Sequence, residues 1–232
     1  MLKELGAAVN RSCGMHCHLG IHSIAGDDSA AIADWVGKLL FQVAMHETAI
    51  YASSGTHRRE NGSYARSIKW QKQAAEAVRK APKHRKPEAV QEAARGGRYH
   101  SLNLTNLFTP KATVEFRAFA GTVEWTKMLG HIQMCLALAE RATETTRMDW
   151  EAVASERTYA TRGRGLRELN RFFYLTGWTL GRRQVGQPEV EMAGWVADLD
   201  DLKRVVRELR QLARKYDLQS ATGGSASGGE VS

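Results

Sequence analysis

Residues 13–22 read Cys-Gly-Met-His-Cys-His-Leu-Gly-Ile-His. Side chains alternate between the two faces of a β-strand. In an extended chain, Cys13, Met15, Cys17, Leu19 and Ile21 make one wholly apolar face. His16, His18 and His22 make the other, with Gly14 and Gly20 between them. Such a run calls for a sheet with one face covered and one left for polar work, and the spacing predicts a strand over Val9–Ile21. Burying one face while lining the other with imidazoles is how a strand builds a site. Two other readings fit the same letters. One is surface histidines on an edge strand. The other is a structural zinc knuckle using Cys13, His16, Cys17 and His18, which needs a turn in place of the strand and has no second Cys/His cluster to complete it. Cys13 and Cys17 would stand about 13 Å apart in a strand, too far for a disulfide.

A second alternating run, Thr113–Ala120, places Val114, Phe116 and Ala118 toward a core and Glu115 and Arg117 on the opposite face. Glu-x-Arg sets an oxygen donor for a hard cation beside a guanidinium that forks onto carboxylate or phosphate. A solvated face with an in-strand ion pair is the plainer alternative. A third run, Gly97-Arg-Tyr-His-Ser-Leu-Asn-Leu, carries Arg98 and Asn103. They fall on opposite faces of a regular strand and share a site only if a bulge or strand end intervenes. Arg58-Arg59, with Arg66 beyond, lies in a polar stretch able to reach phosphates, or simply to be solvated.

Around these runs the pattern is mostly helical. Asp27 and Asp28 offer an N-cap to a helix reaching about Ala52, with Ile32, Trp35, Val36, Leu39, Leu40 and Val43 at helical spacing. Further helices are expected over Ile68–Lys80, Pro87–Ala94, from Gly121-Thr122 to about Thr146, and over Trp150–Ser155, Leu166–Thr176 and Leu199–Tyr216. The last carries an apolar stripe of Leu202, Val205, Val206, Leu209 and Leu212. At 232 residues the chain can bury roughly 70% of its unfolded surface without metal or disulfide staples. Three cysteines point to a reducing cytoplasm, and no apolar run reaches the roughly 18 residues of a membrane span. The net charge of +8 favours anionic partners. Nucleic acid is the least supported of these: the basic stretch Arg79–Lys86 has no interleaved aromatics and no reader motif.

Taken in order, these motifs resemble a known family. The run Asn10–His18, NRSCGMHCH, is similar to the Asn-Gly-x-Gly-Met-His-x-His strand of glutamine synthetase, with one extra residue before Gly-Met-His. GRYHSLNL followed by TVEFRAFAGTVEW resembles the amidoligase family, itself similar to glutamine synthetase and glutamate–cysteine ligases. The resemblance covers about Val9–Ala142. It implies an ATP-dependent carboxylate–amine ligase forming an amide or isopeptide bond through an acyl phosphate, with Mg²⁺ or Mn²⁺. Carried over by position, His16 and Glu115 match metal ligands, and His18 matches a neighbour of the ATP phosphates. Arg117 matches an arginine holding the substrate carboxylate or acyl phosphate. Arg98, and more weakly Arg58 or Arg59, match phosphate contacts. The substrates would be small-molecule or peptide carboxylates and amines.

The resemblance also implies an upstream strand with a Glu-x-Glu, whereas Glu4 is the only acid before Asp27. The expectation is an N-terminally incomplete catalytic region over 1–148, a helical C-terminal extension over 149–217 and a Gly/Ser-rich tail over 218–232. The missing strands would come from a longer gene product, a partner chain or a homo-oligomer. Failing that, the chain is a degenerate module that binds a nucleotide or a partner protein without catalysis. The expected fold is α+β: a small antiparallel sheet, part of a glutamine-synthetase-like catalytic sheet, packed with helices and followed by a helical C-terminal region.

Overall fold

The computed structural model describes residues 4–10, 12–68, 76–78, 80–95, 97–107, 109–150, 153, 163–176 and 199–223. Most of the helix expected over Ile68–Lys80, most of that over Trp150–Ser155 and the tail 224–232 lie outside the described residues. What is described is mixed α and β, as the two strand periods and the helical stripes require. Three strands, β1 (Gly14–Gly20), β2 (Leu102–Asn103) and β3 (Thr113–Ala120), form an antiparallel sheet in the order β1-β3-β2.

β1 is shorter than its alternation suggests. Asn10 Oδ1 accepts the backbone N–H of Ser12 at 2.9 Å and of Cys13 at 3.2 Å, which turns the chain and delays extension to Gly14. At the other end the chain enters a one-turn helix, α1 (His22–Ala25). His22 therefore leaves the histidine face and pairs with Asp27 at 2.8 Å. The zinc-knuckle set is also split: β1 is a strand, and Cys17 is buried and hydrogen-bonded to Cys135 on the side away from His16 and His18. β2 is cut to two residues because the chain just before it pairs elsewhere. Arg66 N–H donates to Tyr99 O and Ser101 N–H donates to Arg66 O, both at 2.8 Å.

The β1–β3 register carries an irregularity. His18 faces Glu115 and Cys17 faces Phe116, yet Met15 faces Phe119. Arg117 and Ala118 thus stand opposite His16 alone, a β-bulge. Strict alternation would put Phe119 on the Glu115 face. The bulge returns it to the core, where its ring stacks on His131 at 4.3 Å.

Helix α2 (Ser29–Ser53) is the hub. Asp28 caps it by accepting Ala30 N–H at 3.0 Å. It is buried on nearly every side, as expected of a helix that is apolar all round. α3 (Arg58–Asn61) is a single turn within the polar stretch expected to be loop. α4 (Lys86–Ala94) opens with Pro87 in its first turn. α5 (Trp125–Glu144) starts later than Gly121-Thr122, because Thr122 Oγ1 accepts Glu124 N–H at 3.0 Å and holds the entry non-helical. α6 (Arg164–Leu175) and α7 (Leu199–Gly223) follow. α7 runs past Tyr216, so 218–223 is helix rather than tail. Its Val205, Val206, Leu209, Ala213 and Tyr216 join the same core as α2, α5 and the sheet. Asp217 of α7 caps α6, accepting Gly165 N–H at 2.7 Å and Leu166 N–H at 3.0 Å. No described helix is long and apolar enough to cross a membrane.

Two core imidazoles make this packing sensitive to acid. His131 accepts burial against Phe119 and Ser53, and His46 against Phe172; burial pushes each down to about 4. Both are neutral in the folded chain at pH 7 and bind protons more readily when unfolded. The stability they permit is therefore present above the ordinary value of 6.5 and is lost as pH falls toward 4. Urea unfolding between pH 7 and pH 5 should show stability falling, with a limiting slope of about 1.4 kcal/mol per pH unit for each histidine. A flat profile over that range would contradict the assignment.

Candidate functional site

The polar face of the sheet converges on one carboxylate. Glu115 is in the central strand and only 4% exposed. A carboxylate withdrawn from water needs donors for both oxygens. Glu115 Oε1 accepts from Arg117 Nη1 at 2.8 Å and from His16 Nδ1 at 2.8 Å, and His18 Nε2 stands 3.6 Å away. Oε2 accepts from Asn103 Nδ2 at 2.6 Å. All three strands contribute: β1 supplies the histidines, β3 the Glu–Arg pair and β2 the amide. His18 is further held by Thr113 Oγ1 at 3.3 Å from its Nδ1.

His16 titrates below its ordinary 6.5, first because of burial and then because of the Arg117 guanidinium, against the opposing pull of Glu115. Near neutral pH its contact with Glu115 is thus a neutral imidazole N–H donating to a carboxylate, with Nε2 left unprotonated.

Beside this cluster opens a cavity of about 1260 Å³. His16 and Arg117 line it from the sheet, Arg58 and Arg59 from α3, and Lys215 from α7. No aspartate or glutamate among the described residues lines it. Arg117 is compensated by Glu115, whereas Arg58, Arg59 and Lys215 have no ion pair among the described residues. Arg59 Nη2 is buried without a hydrogen-bond partner. Burial, and then Arg117, pull the Arg59 guanidinium below its ordinary value without discharging it. A half-buried guanidinium with one orphaned nitrogen, beside cations that no described acid compensates, has the chemistry to attract an anion.

The structure therefore brings together His16, His18, Glu115, Arg117 and Arg59, with Arg58 on the same cavity wall. It does not bring Arg98 to them. Arg98 is exposed in the turn before β2 and lies over the Tyr99 ring at 5.2 Å. Asn103 joins the cluster because β2 is short and its partner in register is Glu115. The residues that the motifs did not single out are Lys215 and Gln219. On sequence they are ordinary polar positions of an amphipathic helix, and only the packing of α7 brings them here.

The geometry rules out the zinc knuckle of Cys13, His16, Cys17 and His18, because β1 is a strand and Cys17 is turned into the core. The family described as "Putative amidoligase enzyme" matches residues 1–139. This chain belongs to the amidoligase family. Comparison with curated proteins and with solved structures finds no match. The matched segment holds every described sheet strand and the whole Glu115 cluster, while α6 and α7 lie beyond it. Membership gives this amidoligase a ligase-type function on small-molecule substrates.

The fit of the implied cofactors is unequal. Phosphate oxygens suit the cavity's lining, where Arg58, Arg59 and Lys215 have no ion pair among the described residues. A hard divalent cation fits poorly. Among the described residues Glu115 is the one carboxylate in the cluster, both its oxygens already accept, and no group of three or more His, Cys, Asp or Glu side chains is arranged to hold a metal ion.

Gly14 has a direct bearing on this amidoligase site. A Cβ there would overlap Arg59 Nη2, the mobile end of a long side chain. Gly14→Ala should therefore displace Arg59 rather than unfold the strand. Calorimetry with tripolyphosphate should show affinity falling about tenfold, the loss of one charge-assisted contact. The thermal midpoint should move by less than about 3 °C. Unchanged affinity, or loss of the folded state, would contradict this placement of Arg59.

Proposed function

We propose that this amidoligase joins a carboxylate to an amine at the expense of ATP, through an acyl phosphate. The observation that carries the reading is the pairing of Arg117, fixed by Glu115, with an acid-free cationic cavity that His16 also lines. Phosphoryl transfer asks a protein mainly for positioning and for absorption of developing negative charge. Arg58 and Arg59 supply positive charge for the phosphate chain. Arg117, oriented by its bond to Glu115, holds the substrate carboxylate.

In the first step a carboxylate oxygen bonds to the terminal phosphorus. The bond to the bridging oxygen breaks, and its electron pair leaves on ADP. In the second step the amine nitrogen bonds to the acyl carbon and phosphate departs with the C–O electron pair. His16 lines the cavity, and in this reading its unprotonated Nε2 takes the proton the amine loses. Mg²⁺ or Mn²⁺ would supply charge neutralisation on the phosphates when bound. The described residues do not form its site, so further carboxylates must come from outside them. Three unpaired cysteines fit work in a reducing cytoplasm.

A second reading has one observation in its favour, the lack of a convergent acidic cluster among the described residues. In it the chain binds a nucleotide without turning it over. ADP release on adding ATP, Mg²⁺ and a panel of carboxylates and amines separates the two. The ligase reading predicts release dependent on both co-substrates, and a fall of about 100-fold in Arg117→Ala. Nucleotide binding with no release, or release indifferent to Arg117, would contradict it and support the binding module.

A further inference from the structure

α7 lies outside the segment that defines the family, yet it walls the cationic cavity. Two features bind it there. Gly55, at φ +66°, lets the chain pass close against α7: a Cβ at that position would stand 2.8 Å from Leu212 Cδ2. Beyond it, His57 stacks on Tyr216 at 3.6 Å between ring centres and reaches Tyr216 O from Nε2 at 3.0 Å. Glu60 closes the link, meeting His57 Nδ1 at 3.1 Å and accepting the Tyr216 hydroxyl. Gln219 Nε2 donates to Gly55 O at 3.4 Å. The stretch that carries Arg58 and Arg59 is thus latched to α7 on both sides of those arginines. One residue before Tyr216, Lys215 lines the cavity with no ion pair among the described residues.

We propose that Lys215 is a binding residue of the cavity, completing with Arg58 and Arg59 a subsite for an oligophosphate chain. The inference rests on the anion-binding reading above and adds the helix and residue that the family segment does not contain. Three uncompensated positive charges face one space. A single carboxylate would neutralise only one of them, whereas a chain of linked phosphates presents several charges spaced along its length. The two guanidiniums present forked donors that match phosphate oxygens, and the ammonium adds a point charge. The helix that supplies Lys215 also holds the arginines in place, so the subsite is built only when α7 is docked.

Calorimetry on the full chain with tripolyphosphate, inorganic phosphate and citrate tests this. The expected order of affinity is tripolyphosphate well above phosphate and citrate. Lys215→Ala should weaken tripolyphosphate binding about fivefold, Lys215→Arg should restore it, and both should melt like the parent because Lys215 is exposed. Tripolyphosphate affinity unchanged in Lys215→Ala but lost in Arg59→Ala would overturn the role of Lys215 and leave the proposed function standing. Citrate binding as tightly as tripolyphosphate would overturn the assignment to a phosphate chain. No tripolyphosphate binding by the parent would remove the anion-site reading and this inference together.

Discussion

A single carboxylate, Glu115, sits almost fully out of water in the middle strand of a three-stranded sheet, and the surrounding polar structure answers to it. Leaving such a group unpaired costs several kcal/mol, of order 3–5 when one partner of a buried pair is removed. The sheet order β1-β3-β2 supplies partners from both sides. Asn103 reaches Glu115 from one neighbour strand, His16 from the other, and Arg117 from the same strand after a bulge. The bulge lets the guanidinium bend back to the carboxylate while Phe119 still enters the core. Fold and site are therefore set by one requirement.

The second organising element is the buried helix α2. Its Glu47 is 2% exposed and accepts Ile68 N–H and the Ser101 hydroxyl, each at 2.8 Å, together with the Ser67 hydroxyl. Tyr51 donates its hydroxyl to Ala65 O at 2.6 Å. These bonds pin the strip beneath Arg117 and the entry to β2. From the far side, α7 fastens the stretch bearing Arg58 and Arg59. The cationic cavity is thus held between a core helix and a C-terminal helix, which pre-orders its charges before any ligand arrives.

Much of this was legible in the residues. The bounds of the run Thr113–Ala120 are those of β3, the Asp28 cap and the length of α2 follow from local signals, and the α7 stripe is the face that packs. The facing of His18 and Glu115 follows from two amphipathic strands once they pair. Other features depend on tertiary contact. The Asn10 turn shortens β1, and His22 swings away to Asp27. Arg98 stays in solvent because Arg66 captures the backbone of Tyr99 and Ser101. The bulge has no letter of its own, since Arg117 and Ala118 are ordinary strand residues. Lys215 carries no local signal at all; its place comes from the docking of a helix that begins at Leu199, far beyond the end of β3 at Ala120.

The central claim is that the Glu115–Arg117 pair is energetically coupled at the floor of the site. A double-mutant cycle measures this directly: urea unfolding of the parent, Glu115→Gln, Arg117→Gln and the double variant. Each single change should cost about 3 kcal/mol by stranding the other charge, and the double should cost less than their sum by at least about 1 kcal/mol. Strictly additive costs would show that the two side chains act independently, and the account of the site would fail.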